Sequence, residues 1–179
     1  MTKLARIALG LVAILTAAAP TLAQVRQLEG VWTRVEVHVV TEDGTTVQTD
    51  LQSSLYIFTH EFFSVMYIDG SEPRPLRGRR SKSELTDTEK IAEYDPFVGY
   101  AGTYEVNGST LTLRPRVSLN PSFMAGNVRR DEFEMDGNVL WLILNARSGP
   151  IQQIRVKLVR LEGGLGSGES FQVRVLAAP

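Results

Sequence analysis

The chain predicts an all-β protein, an up-and-down eight-stranded antiparallel β-barrel with one short helix. Three observations predict it. From Gly30 onward, short apolar runs alternate with a period of two, as half-buried strands do. Turn dipeptides separate the runs: Asp43-Gly44, Asp69-Gly70, Asn107-Gly108 and Asp136-Gly137. One stretch alone carries both a helix start and a helix stop. Closing such a meander removes its exposed strand edges; a two-sheet sandwich is the alternative.

The first 23 residues stand apart from this pattern. Lys3 and Arg6 precede an uncharged Ala/Leu/Ile run from Ile7 to Ala19, and Thr21-Leu22-Ala23 supplies small residues where a signal peptidase reads. This is the order of a secretory signal peptide, residues 1–23. The apolar run is shorter than the roughly 20 residues a spanning helix needs, which argues against a retained anchor. The mature chain is expected to begin at Gln24, to be secreted or periplasmic, and to contain no membrane span. Losing the leader removes two positive charges and no acid, taking the net charge from −1 to −3.

The barrel domain is read as residues 24–162. Val31, Val35, Val37 and Val39 share one parity of a first strand running to Val40. Leu55 to Thr59 and Phe62 to Ile68 are aromatic and β-branched runs meeting at Thr59-His60-Glu61. Thr86, with Glu89 three residues on, makes a capping box for the helix, and Asp95-Pro96 ends it. Ile91, Ala92 and Tyr94 form its apolar stripe. Gly102 to Val106 and Thr110 to Ser118 flank Asn107-Gly108, the strongest short hairpin signal. Val128 to Met135 and Val139 to Ala146 flank Asp136-Gly137, and Ile154 to Leu161 closes the series. Residues 163–179 read as a Gly-rich tail in which Phe171, Val173 and Val175 offer one further strand.

Two features carry a resemblance to known proteins. Leu28-Glu29-Gly30-Val31-Trp32, just before the first strand, resembles the lipocalin signature, in which the Trp plugs the closed end and an Arg from the last strand crosses its ring. Tyr100-Ala-Gly-Thr-Tyr-Glu-Val-Asn-Gly108, Val117-Ser-Leu-Asn-Pro121 and Val128-Arg-Arg-Asp-Glu-Phe-Glu-Met-Asp-Gly137 are similar to the bacterial lipocalin-like domain family, as are Leu55 to Thr59 and Phe62-Phe63-Ser64. The resemblance covers about Gly30 to Glu162 and implies a calycin-type barrel, usually without assigned enzymatic activity. The chain departs from the pattern at Leu113-Arg114-Pro115-Arg116, where a His-containing segment is expected, and in its basic loop from Ser71 to Glu84. The resemblance also implies a structural closed end of Gly30, Trp32 and Arg160. Arg160 shares a parity with Ile154, Val156 and Leu158, and stacking on Trp32 explains an arginine on that face.

Composition narrows the function. With no cysteine there is no disulfide framework and no thiol nucleophile. His38 and His60 are the only histidines, too few with no cysteine for a transition-metal site. No nucleophile elbow and no phosphate-cradling loop is present, so no cofactor is expected. A net charge near zero gives no bulk attraction to nucleic acid, and Arg74, Arg77, Arg79, Arg80 and Lys82 lack interleaved aromatics and read as a solvated loop. The expected partner is a small hydrophobic ligand inside the barrel, lined by Tyr56, Phe58, Phe63, Tyr67, Tyr104 and Phe133, with the tyrosines orienting a polar end. The expected role is carrier or sensor. Two alternatives remain: a calycin-type cyclase or isomerase, if Trp32, Arg34, Glu36 and His38 all point inward and place an acid–base pair in the cavity, and a filled barrel acting as a scaffold. The default for Arg34, Glu36 and His38 is the polar outer face, opposite the valines.

Overall fold

The structure, a computed structural model, describes residues 22–74, 78, 80–145, 149–162 and 174–175. Ten strands are present among them: β1 (Gly30–Thr41), β2 (Gly44–Gln48), β3 (Ser54–Phe58), β4 (Phe62–Ile68), β5 (Phe97–Asn107), β6 (Thr110–Ser118), β7 (Arg129–Asp136), β8 (Val139–Asn145), β9 (Ile151–Glu162) and β10 (Arg174–Val175). Helix α1 (Leu22–Leu28) precedes β1, and α2 (Asp87–Tyr94) lies between β4 and β5.

Every strand from β3 to β9 pairs antiparallel with the next. The ring is closed because β1 pairs with β3 at one edge and with β9 at the other, from Trp32↔Arg160 to Thr41↔Ile151. Eight strands therefore form a barrel, and the sandwich alternative is excluded. Strand β2 pairs with the far half of β1, Val37↔Gln48 through Thr41↔Gly44, and its side chains are exposed. Since β2 and β3 both run antiparallel to β1 on the same edge, they act as one strand broken at residues 49–53. Isolated polar threonines beyond Asp43-Gly44 gave β2 no apolar signature of its own.

Two bulges decide which side chains face inward. On β1 the register shifts between Arg34 and Glu36, so Val35 is the extra residue. Trp32 and Arg34 point inward on one side of it, and Val37 and Val39 on the other. On the β5–β6 pair the shift falls between Ala101 and Gly102, which leaves Arg116 as the extra residue. There the strands approach so closely that a Cβ on Gly102 would lie 2.0 Å from the Arg114 carbonyl oxygen.

The tight hairpins at residues 59–61, 108–109 and 137–138 gather at one end of the barrel, and the long connections at the other. The tight-hairpin end is solid. Leu28, Trp32, Phe58, Phe63, Tyr104, Leu111, Leu113, Phe133, Leu140 and Leu158 are buried there as one cluster. Phe58 meets Tyr104 edge-on at 5.4 Å, and the Tyr104 hydroxyl donates to the Thr59 carbonyl at 2.6 Å.

Helix α2 starts as its capping box predicts: Thr86 Oγ1 accepts from Glu89 N, and the Glu89 carboxylate accepts from Thr86 N at 2.8 Å. Its apolar stripe does not pack on the barrel, however. Ile91 is 56% and Tyr94 54% exposed, so the outer faces of β3 and β4 are not covered by it. Leu55, Phe62 and Met66 there remain exposed. The Gly-rich stretch from Gly163, with Phe171 and Val173, lies outside the described residues, as do Arg77 and Arg79. Val175 does add a short strand, against Leu161.

Candidate functional site: a polar-floored cavity in the open half of the barrel

The closed end is built on Trp32. Its ring is fully buried, and Nε1 donates to the Leu28 carbonyl at 2.9 Å, tying α1 across the barrel mouth. The Arg160 guanidinium lies 4.1 Å from the centre of the Trp32 ring and donates to the carbonyls of Glu29 and Gln27. Gly30 sits directly beneath it at φ +137°, and a Cβ there would lie 2.3 Å from Arg160 Nη1. This contact gives Gly30 its physical reason: a side chain would push the arginine off the tryptophan. Arg160→Ala is expected to lower the unfolding free energy by roughly 1–3 kcal/mol, since two backbone carbonyls lose a charged donor and the ring loses its cover. Chemical denaturation checks this; an unchanged midpoint would show that α1 closes the end unaided.

The open half contains a cavity of about 370 Å³ lined by residues of eight strands. Its wall is apolar on one side, with Val37, Val39, Leu142, Leu144, Ile154 and Val156. The opposite side is aromatic and charged. Tyr56 and Tyr67 stack at 6.3 Å with their planes 3° apart. The Arg34 guanidinium covers the Tyr67 ring at 3.9 Å, and its Nη2 donates to the Ile68 carbonyl at 2.8 Å. Arg34 is only 8% exposed, and its buried Nε has no hydrogen-bond partner among the described residues.

Arg129, Asp131 and Tyr100 form the floor. Arg129 Nε donates to both Asp131 oxygens at 2.8 and 2.9 Å, and its Nη1 donates to the Tyr100 hydroxyl at 3.0 Å. Asp131 is 3% exposed and the Arg129 side chain 27%, so the carboxylate is held away from water while the guanidinium stays partly solvated. Burial pushes the Asp131 carboxyl above its ordinary range, opposed by the Arg129 charge. Burial also raises all three tyrosines, Tyr100 to about 12, so each keeps its O–H donor at neutral pH. A second hollow, about 500 Å³ and bounded by Tyr94, Asp95 and residues 118–121, shares Tyr67, Tyr100 and Arg129 with the cavity.

The family model of the lipocalin-like domain matches residues 29–157, most of the chain. The chain belongs to the lipocalin-like domain family. No curated protein matches it.

The lipocalin-like barrel divides the six residues read from sequence as ligand lining. Tyr56 and Tyr67 face the cavity. Phe58, Phe63, Tyr104 and Phe133 also point inward, but they pack together in the solid closed half, one layer below it. Alternation fixes which face a residue takes, while its height along the barrel depends on strand stagger. The interior is thus neither wholly open nor wholly filled.

The bulge at Val35 corrects the inward reading of Glu36 and His38. Both lie on the outer face, where His38 Nε2 is 2.5 Å from Glu36 Oε1 and Lys157 Nζ donates to Glu36 Oε2 at 3.2 Å. The bond to His38 is the main cause holding the Glu36 carboxyl below its ordinary range, with Lys157 adding to it against partial burial. His38 also meets the Trp141 ring edge-on at 5.2 Å. The acid–base pair of the enzyme alternative is therefore outside the cavity. Arg34, expected outside, is inside for the same reason.

Tyr100, Arg129 and Asp131 were not singled out from sequence as site residues, and Arg34 was named there only together with Glu36 and His38. A signal was present for two of them: Arg129 and Asp131 share the parity of Phe133 and Met135, the inward face of β7. Among the described residues, no three His, Asp or Glu side chains converge as a metal site, and no helix is long and apolar enough to cross a membrane.

Proposed function

We propose that this exported lipocalin-like barrel carries or senses a small, mostly apolar molecule in the open half of its interior. The 370 Å³ cavity carries the reading, since it falls within the range of small-ligand sites and has a continuous aliphatic wall. Its closed half is packed solid, so the ligand enters and leaves by the end where the long connections lie. Export is supported by the leader-like residues 1–23. Cleavage behind Ala23 keeps Val25 and Leu28, which pack on the barrel core, in the mature chain.

The neutral fluorescent probe N-phenyl-1-naphthylamine is expected to bind with micromolar affinity, on the order of −8 kcal/mol. Leu144→Trp fills the cavity from its aliphatic wall and should weaken binding at least tenfold while the β-rich circular dichroism spectrum persists. A native protein that never binds the probe would refute the carrier reading. Equal binding by Leu144→Trp would move the site elsewhere.

A further inference from the structure

The charges inside the barrel do not balance. Arg129 is neutralised by Asp131 through both carboxylate oxygens. Arg34 has no such partner. Its contacts among the described residues are one neutral carbonyl, Ile68 O, and the face of Tyr67. A guanidinium cannot shed its charge by deprotonating, and a buried cation without a counter-ion is costly. The remaining charged group on the lining, Asp69, sits exposed at the mouth beside Gly70, where water screens it, and makes no ion pair with Arg34. Among the described residues the interior thus carries one positive charge without an ion-pair partner, beside the stacked rings of Tyr67 and Tyr56, whose hydroxyls donate to no described residue.

We infer that the ligand is a monocarboxylate with an aliphatic chain. This rests on the carrier reading above and names the chemical class that the same cavity takes. The carboxylate supplies the anion that Arg34 lacks and accepts from Arg34, with the Tyr56 and Tyr67 hydroxyls close by. The chain lies along Val37, Val39, Leu142, Leu144, Ile154 and Val156. A single negative charge is specified, because Arg129 is already paired and Asp69 at the mouth repels a second. The cavity of about 370 Å³ lies at the small end of the range of ligand sites, which suits a medium-length chain such as decanoate.

The test compares decanoate with decan-1-ol, which has the same chain and no charge, by displacement of N-phenyl-1-naphthylamine at pH 7. Native protein should bind decanoate at least tenfold more tightly than decanol. Arg34→Met, of similar length and apolar, should lose that preference, its affinities for decanoate and decanol coming within about twofold of each other. Arg34→Lys should keep part of it. The native comparison stands even if a variant fails to fold. Equal affinity for the two ligands, with the probe bound, would overturn the monocarboxylate inference and leave the carrier reading intact; failure of the probe itself to bind would overturn both. A tenfold preference that survives in Arg34→Met would also overturn the role given to Arg34.

Discussion

Trp32→Ala is expected to cost about 3–5 kcal/mol of unfolding free energy, as removal of a buried indole does. Three losses coincide at this residue. The ring is fully buried at the centre of the closed end, so its removal leaves a void that Leu28 and Leu158 cannot fill without moving. The Leu28 carbonyl loses the Nε1 donor that ties α1 to the barrel. Arg160 loses the surface it covers. Trp32→Phe keeps most of the packing and loses the hydrogen bond, so a loss of about 1 kcal/mol is expected. Urea denaturation followed by circular dichroism separates the two. If alanine costs less than about 1 kcal/mol, the closed end is held by backbone closure rather than by this side chain.

Asp131→Ala is expected to cost about 2–3 kcal/mol, for a different reason. The substitution removes little packing, but it leaves the Arg129 guanidinium, its side chain 27% exposed, with only the Tyr100 hydroxyl as hydrogen-bond partner among the described residues. It would also raise the uncompensated interior charge from one to two. The cost should be recovered in large part by Arg129→Leu/Asp131→Leu, which removes both charges together. Comparing the single and double variants by denaturation isolates the coupling. A double variant as unstable as Asp131→Ala would mean that the carboxylate acts through packing and not through its charge.

How legible this molecule was depended on the range of the interaction. Eight strands, their hairpins and the helix cap were readable because each rests on neighbours a few residues away. Asn107-Gly108 makes its turn whatever surrounds it, and Thr86 finds Glu89 within one helical turn. Gly30-Val31-Trp32 was readable as a closed end through its resemblance to the lipocalin signature and its place ahead of the strands. Its partner Arg160 stood out as the one charge on an apolar parity.

The charged floor was harder to read, since its members are ordinary residues placed by distant pairing. Arg34 and Glu36 share a parity in the sequence, yet one is buried in the cavity and the other faces solvent. Nothing local marks Val35 as the extra residue. The bulge exists because β1 must keep Arg34 opposite Leu158 and Val37 opposite Val156, a register set 120 residues away. Likewise the sequence showed that Tyr56, Phe58, Phe63, Tyr67, Tyr104 and Phe133 face inward, but only strand stagger decided which lie beside the cavity and which fill the closed half. The sequence by itself determined the strands and the turns, through local sterics and alternation, and the plug through its resemblance to a known signature. The tertiary structure decided the cavity and its excess charge, because the burial of an arginine depends on which strand comes to lie beside it.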